Sequence, residues 1–251
     1  MELLPFDQIL LQLDSISLEE MEKVRLMNRI DTKYVTSVEN ISRLLGMAHE
    51  FYLIQEIAGG RNMPYYTKYF DTVAAKMYYD HERGKKSRRK IRIRRYEGSS
   101  PLAFMEIKDK NNKGRTKKKR VVIENQEFLE PYAEFISSHS EFSLMELTER
   151  IENRFNRITL VNKEMTERIT IDTGIRFRNL INAEKAFLPS LAVVEWKRDR
   201  LAGASMMQKI LHHLHLNPGG FSKYVIGMAL TDPTLRRNRI KPKLLQINKI
   251  H

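Results

Sequence analysis

Basic residues at every second position are the feature of this sequence with the clearest chemistry. Lys90, Arg92 and Arg94 alternate with Ile91 and Ile93. Because successive strand side chains point to opposite faces of a sheet, this segment predicts a strand with one cationic and one apolar face. Arginine offers a planar fork to anionic oxygens, and lysine acts as a point charge. The predicted cationic face would therefore bind an anion.

The positive charge of the chain is concentrated around this strand. The sequence has 44 Lys and Arg against 31 Asp and Glu, a net charge of +13. Residues 83–120 hold 17 of those basic side chains and only three acidic ones, so the remainder is nearly neutral. Apolar residues interleave with the cations, unlike in a solvated basic tail. This distribution favours a polyanionic ligand such as nucleic acid, acidic lipid head groups or phosphate chains.

Two further strands are predicted downstream. In residues 102–108, Glu106 and Lys108 share one face, and aliphatic side chains occupy the other. In the next strand the alternation is less clear, and it leaves open which lysine of residues 117–119 shares a face with Arg120. Like charges on neighbouring strands repel each other, so an ordinary solvated face would mix both signs. The three strands together predict a sheet with a cationic binding face.

The remaining elements must position this face. A capping box from Ser17 to Glu20 predicts an N-terminal helix, and Ser37 is the expected N-cap of another. Residues 127–138 and 141–154 have the composition of helices. Strands are expected between and after them, several with charges on one face and aliphatics on the other.

This repeated pattern predicts the fold class. The shared interior of a soluble sandwich would be apolar, whereas a barrel with a polar lumen and helices outside would produce charged inner faces. We therefore predict an α+β domain, an antiparallel eight-stranded β-tunnel flanked by helices. The expected organisation is a helical segment at residues 1–26, the tunnel domain at 27–232 and a basic tail at 233–251. Cations confined in such a lumen require a counter-charged ligand or water.

At these residues the sequence resembles the polyphosphate polymerase domain of the vacuolar transporter chaperone (VTC) family. That domain is a triphosphate tunnel metalloenzyme, a relative of the CYTH proteins. The resemblance rests on eight short motifs that follow the family's order, at residues 29–34, 69–72, 90–96, 104–108, 118–120, 168–172, 194–197 and 221–224.

The resemblance implies transfer of the terminal phosphate of ATP, or of another triphosphate, onto inorganic polyphosphate, with Mn²⁺ or Mg²⁺ as cofactor. The residues predicted to hold the reacting phosphates are Lys33, Arg92, Arg94, Lys108, Arg168 and Lys223. Further substrate contacts are predicted for Arg29, Lys90, Lys118, Lys119, Arg120, Lys163, Lys197 and Ser222. The carboxylates predicted to hold the metal are Glu195 and Glu106.

One departure from the family pattern bears on the activity. Ahead of the Arg168 strand the family usually has a Tyr-x-Arg pair, and this chain presents Val161, Asn162 and Lys163 there. Lys163 would replace the charge of the arginine but not its forked geometry, and the tyrosine hydroxyl is missing. Polymerisation, triphosphate hydrolysis in the same tunnel and non-catalytic polyphosphate binding therefore all stay open.

Several other classes of protein are disfavoured. The chain has no Walker-type glycine loop, RNP-like motif, helix-turn-helix or zinc finger, so a nucleic-acid binder is only a third alternative and no DNA partner is expected. It has no cysteine, which excludes disulfides and thiolate metal sites. No apolar run approaches a membrane span and no secretory signal is evident, so a cytoplasmic location is expected. Because family assemblies attach this domain to membrane helices, a separate membrane-protein partner stays open.

Overall fold

The computed structural model describes residues 6–22, 24, 29–97, 102–113, 115–124, 128–200 and 203–250. The strands within these residues are β1 (Ser15–Ile16), β2 (Arg29–Ser37), β3 (Tyr52–Gln55), β4 (Met63–Asp71), β5 (Arg88–Tyr96), β6 (Ala103–Lys110), β7 (Thr116–Ile123), β8 (Thr148–Asn162), β9 (Glu167–Asn179), β10 (Lys185–Leu188) and β11 (Leu191–Asp199). The α-helices are α1 (Phe6–Gln12), α2 (Leu18–Glu22), α3 (Val38–Ala48), α4 (Lys76–Glu82), α5 (Ala133–His139), α6 (Met206–His213), α7 (Lys223–Thr231) and α8 (Lys241–Asn248).

Eight antiparallel strands form one curled sheet in the order β2-β11-β9-β8-β4-β5-β6-β7. Three short strands extend it: β10 pairs with β9, β3 pairs with β8, and β1 pairs with β3 in parallel. The predicted α+β class with an eight-stranded antiparallel sheet is confirmed. The face that carries Arg92, Asp172 and Glu195 is called the inner face below, and the opposite one the outer face.

Helices cover the outer face where strand alternation makes it apolar. On the β2-β11-β9-β8 half, α3 and α6 bury Leu44 and Ile210 against strand residues such as Ile171. On the β4-β5-β6-β7 half, Ile91 of β5 and Ile107 of β6 are fully buried. They belong to a second hydrophobic core, which is the larger of the two. Burial of this face frees the inner face to be polar, as the alternation predicts.

Helix α7 packs on the inner face and fills one part of it. A Cβ atom at Gly227 would lie 2.5 Å from a ring carbon of Phe177 and 2.7 Å from Ile151, so only glycine allows this approach. The Tyr224 hydroxyl donates to buried Asp71 on β4, which anchors the helix from its first turn. Because α7 begins at Lys223, its N-terminus faces the polar part of the inner face.

Two local predictions are confirmed and one is wrong. Ser17 forms its capping box with Glu20, and Ser37 caps α3. The predicted helix over residues 141–154 is largely a strand, because β8 starts at residue 148. Its buried residues alternate there, and pairing with β4 and β9 outweighs the local helix propensity.

The C-terminal segment, predicted as a basic tail, packs on the rest of the fold. Its apolar residues Leu235, Ile240 and Ile247 are buried in the larger core, and the last of them lies on α8. Arg236 of the same segment contacts Glu82 at 3.4 Å. None of the helices in the described ranges is both long and apolar enough to cross a membrane.

Candidate functional site

Cations converge on the inner face from strands at both ends of the sheet path. Lys33 on β2 lies beside Glu195 on β11, and Arg92 on β5 lies beside Glu106 on β6. Burial is the main cause that lowers the pKa of Lys90 to about 8, and Lys33 is among the cations that contribute. The curled sheet thus lets charges on its two halves act on each other.

Three inner-face carboxylates each contact two cations. The three groups are Glu195 with Lys33 and Lys197, Asp172 with Arg157 and Lys223, and Glu106 with Arg92 and Lys118. Each group joins side chains from two or three different elements. The cations outnumber the carboxylates within these groups, which leaves a positive surplus on this face.

The Glu106 and Asp172 groups are held by paired hydrogen bonds. Arg92 donates to one Glu106 oxygen through Nε at 2.7 Å and Nη2 at 2.5 Å. Arg157 donates Nε and Nη2 to the two Asp172 oxygens at 2.6 and 2.8 Å. Burial alone would raise the pKa of each carboxyl group, but the adjacent cations hold both pKa values well below the usual range. Both carboxylates are therefore ionised at neutral pH.

Lys90, Arg94 and Lys108 carry inner-face charge without a carboxylate contact among the described residues. Lys90 and Lys108 lie directly opposite each other on β5 and β6, a pairing that repels. The Nε atom of Arg94 is buried and has no hydrogen-bond partner within the described part of the chain. Arg92 and burial lower the pKa of Lys108 well below its usual value. Without a ligand, this surplus of positive charge lowers the stability of the folded protein. A bound anion would neutralise it.

The start of α7 adds a hydroxyl and a further ammonium group. Ser222 caps the helix through its hydroxyl, which also accepts a hydrogen bond from Lys90 Nζ at 2.9 Å. Burial lowers the pKa of Lys223 to about 8, although Asp172 opposes the shift. Helix N-termini favour anions because their amide groups are unpaired. The N-terminus of α7 therefore reinforces the cationic surface.

Arg168 lies at another part of the inner face, next to Lys197 in the β9–β11 register. Its Nη2 donates to the backbone carbonyls of Met21 at 2.9 Å and Val24 at 3.4 Å. Its Nε is buried and has no hydrogen-bond partner in the ranges that the structure describes. The N-terminal segment thus engages part of this guanidinium group.

Several predicted site residues are exposed to solvent. Lys119 is opposite Ile107 in register, so it points to the outer face. Lys163 follows β8, where it is exposed and contacts Asp14 at 3.6 Å. The prediction that Lys163 replaces a tunnel arginine is therefore wrong. Arg29 is exposed and pairs with Asp31 at 3.0 Å. The alternation of β7 places Arg120 on the inner face, but the side chain is exposed. Its guanidinium carbon lies 5.0 Å from the centre of the Phe104 ring.

Arg157 and Asp172 are the main site residues that sequence reasoning missed. The sequence predicts a helix that ends at residue 154 and a strand that begins at Arg157, whereas β8 is one strand that also contains Phe155. The structure places Phe155 and Arg157 on the inner face, with the Lys223 ammonium 4.0 Å from the centre of the Phe155 ring. One residue separates Phe155 from Arg157, as one residue separates the tyrosine from the arginine in a Tyr-x-Arg pair. A forked guanidinium group is thus present, and the hydroxyl is absent.

The two predicted metal ligands differ in how well they fit a divalent cation. Glu106 is 2% exposed, and both its oxygens contact cations. The Glu195 side chain is 22% exposed and contacts two lysines, whose flexible stems can move. No group of three His, Cys, Asp or Glu side chains within the described ranges could hold a metal. Because Mg²⁺ is commonly held by one or two carboxylates plus phosphate oxygens, Glu195 fits as a single protein ligand and Glu106 does not.

The lowered lysine pKa values predict opposite pH dependences for stability and anion binding. Burial lowers the pKa of Lys90 and Lys223 to about 8, from the usual 10.5. Between these values the unfolded chain holds more protons than the folded one, so the free energy of unfolding should rise with pH. Affinity for tripolyphosphate should fall over the same range, because the ammonium charges are lost.

Urea denaturation and tripolyphosphate titration between about pH 7 and about pH 10 would check this prediction. The variant Lys90→Met is the control, since removal of one of the two groups should make both profiles less steep. Stability and affinity that fall together with rising pH would contradict the assignment.

Comparison with known proteins gives a match to one protein family and to several solved structures. The VTC domain family matches residues 28–231. No curated protein sequence matches the chain. Two solved structures are similar at 14% identity and a TM-score of 0.48. One is a candidate adenylate cyclase from Bacillus halodurans, covering 78% of this chain and 94% of its own. The other is a candidate adenylyl cyclase from Hippeastrum with a dominant triphosphatase activity, covering 84% and 99%.

Proposed function

Because the chain belongs to the VTC domain family, we propose that it is a metal-dependent phosphotransferase that adds the terminal phosphate of ATP to inorganic polyphosphate. The observation that supports this function is the cationic surplus at Arg94 and Lys108, neither of which forms an ion pair with a carboxylate among the described residues. Phosphate chains are the ligands with enough charge, in a narrow enough shape, to neutralise several neighbouring cations at once.

The reaction needs little covalent help from the protein. A terminal oxygen of the acceptor chain attacks the γ-phosphorus of ATP, the new P–O bond forms, and the bond to the β–γ bridging oxygen breaks, so that ADP leaves with the electron pair. Positioning and charge neutralisation supply most of the catalysis in phosphoryl transfer. Arg92 and Arg94 would hold the equatorial oxygens, and Lys108 would neutralise charge as it develops.

The carboxylates keep these cations in place before substrate binds. Glu106 fixes the guanidinium plane of Arg92, and Asp172 fixes that of Arg157. Such preorganisation lowers the cost of ordering the site in the transition state. A divalent cation, with Glu195 as its protein ligand, would neutralise phosphate charge and help to align the two substrates.

A second candidate function is non-catalytic binding of phosphate chains. Phe155 at the Tyr-x-Arg spacing favours this alternative, because no hydroxyl is available there to donate a hydrogen bond to a phosphate oxygen. Triphosphate hydrolysis is the third outcome of the same geometry, in which water takes the place of the acceptor chain. A partner protein in the membrane is also proposed, on the resemblance alone.

Incubation of the protein with labelled ATP and Mn²⁺ or Mg²⁺, followed by analysis of the products, tests these functions directly. Long anionic products on a gel are the expected result. Free phosphate without chains would identify a hydrolase, and tight polyphosphate binding without either product would identify a binding module. A preference for RNA or DNA over polyphosphate of equal charge would overturn the proposal.

Two variants of adjacent residues make the test specific for the inner face. Arg94→Ala should reduce product formation by about a hundredfold or more, because a transition-state contact is lost. Arg95→Ala is the matched control, since Arg95 lies on the outer parity of β5 and pairs with Glu97 at 2.8 Å. Equal losses in the two variants would show that the inner face is not the site.

A further inference from the structure

A second group of cations lies beyond Lys90, at the end of the inner face where β5 begins. Arg88 shares the parity of Lys90, and it lies directly opposite Lys110 on β6. Lys243 of α8 is near enough to Arg88 that the two charges interact. These three side chains belong to none of the groups assigned above to the reacting phosphates.

The cations of this second group lack the acidic partners that their neighbours have. Arg89, the next residue on β5, donates to Asp109 at 2.6 Å and contacts Glu141 at 3.1 Å on the outer face. Within the described ranges no ion pair is formed by Arg88, Lys110 or Lys243. The outer face is therefore balanced at this position, and the inner face is not. Like charges opposite each other on paired strands persist at a cost in stability.

His81 lies among these cations and is itself unsatisfied. Its Nδ1 atom is buried and has no hydrogen-bond partner among the described residues. Burial lowers its pKa to about 3, and Lys90, Arg88 and Lys243 lower it as well. The imidazole is thus neutral, so it adds a ring nitrogen for hydrogen bonding without adding repulsion.

Lys243 is held in position by the loop that leads to α7. Its Nζ donates to the Gly220 carbonyl at 2.6 Å, and a Cβ atom at Gly220 would lie 2.7 Å from the same nitrogen. Because an ammonium group has three donors, two stay available for another ligand. The next polar residue along that loop is Ser222, which contacts Lys90. The second group is therefore continuous with the candidate active site through Lys90.

The cationic row is longer than a triphosphate. From Arg88 to Arg94 the strand rises about 20 Å at about 3.3 Å per residue, with a cation at every second position. A triphosphate held at Arg92 and Arg94 would leave the Arg88 end without counter-charge. Only a longer polyanion would neutralise both ends together.

We propose that Arg88, Lys110 and Lys243, with His81, form a second phosphate-binding site that holds the distal, non-reacting phosphates of an inorganic polyphosphate chain. This assignment rests on the proposed function, which places the reacting end of the chain near Arg94. The second site contributes chain-length preference and retention of the product, because it adds contacts only when the chain is long enough to reach it.

Titration of the protein with long-chain polyphosphate and with tripolyphosphate tests the second site. The triple variant R88Q/K110Q/K243Q should weaken long-chain binding by about tenfold or more and leave tripolyphosphate binding unchanged, because charge-assisted hydrogen bonds are lost only at the distal end. Arg89→Gln is the matched control and should change neither affinity. Thermal unfolding of each variant checks that the fold is intact.

The outcomes separate the second site from the proposed function. Unchanged long-chain binding in the triple variant, or equal losses for both ligands, would overturn the second site. Arg94→Gln should weaken both ligands. If it weakens neither while the triple variant still loses long-chain binding, the proposed active site is wrong and the second site stands.

Discussion

Replacing Lys108 with methionine is expected to make the protein more stable and at the same time impair its binding of phosphate. Lys108 is half-buried and lies directly opposite Lys90 on the neighbouring strand. Arg92 and burial lower its pKa. Removal of this charge relieves repulsion, so the free energy of unfolding should rise by about 1 kcal/mol, as is common for substitutions at functional sites. Loss of a charged contact should weaken tripolyphosphate binding by about tenfold or more.

Urea denaturation and isothermal titration of the Lys108→Met variant would measure the two effects. Lys119→Met is the matched control, because Lys119 is exposed, points to the outer face and lies opposite Ile107. It should change stability by no more than about 0.5 kcal/mol and leave affinity unchanged. A Lys108 variant that is less stable and binds normally would show that Lys108 stabilises the fold and does not contact the ligand.

Replacing Asp172 with asparagine should have the opposite effect on stability. Asp172 is 4% exposed and neutralises Arg157 and Lys223 together. Without its charge, two confined cations lose their partner, and breaking a buried pair in this way costs about 3 kcal/mol or more. The same two cations should then bind a phosphate chain more readily. We therefore expect tripolyphosphate to raise the melting temperature of Asp172→Asn by more than that of the unsubstituted protein.

Thermal unfolding with and without tripolyphosphate would measure both parts of this prediction. Asp109→Asn is the control, since Asp109 pairs with Arg89 on the outer face, where the carboxylate is 37% exposed. That pair should contribute less than about 1 kcal/mol, and the variant should show no additional stabilisation by ligand. A similar loss of stability in the two variants would argue against a confined inner face.

The two predictions describe one design of the inner face. Carboxylates neutralise part of the cationic charge and orient it, and the surplus at Lys90, Arg94 and Lys108 is what the proposed ligand would neutralise. Full neutralisation would give a more stable domain with little affinity for anions. A surplus without Glu106 and Asp172 would cost more than a marginally stable domain can tolerate.

Local alternation in the chain was enough to predict the strands that carry the cations. The side-chain period of two places Arg92 and Arg94 on one face whatever the partner strand is, and the same argument holds for Glu106 and Lys108. The motif order was enough to predict the family, and the match over residues 28–231 confirms it. These features need only neighbouring residues or their order along the chain.

The tertiary structure alone decided which charges meet. Arg157 and Asp172 are brought together by the register of β8 and β9, and Lys243 contacts the loop before α7 because α8 packs back on the core. Long-range pairing likewise turned Lys119 outward and replaced a predicted helix by β8. Register depends on which strands pair across the whole sheet, and a shift of one residue reverses every side chain. For that reason a local pattern can predict a cationic strand but not the carboxylates that balance it.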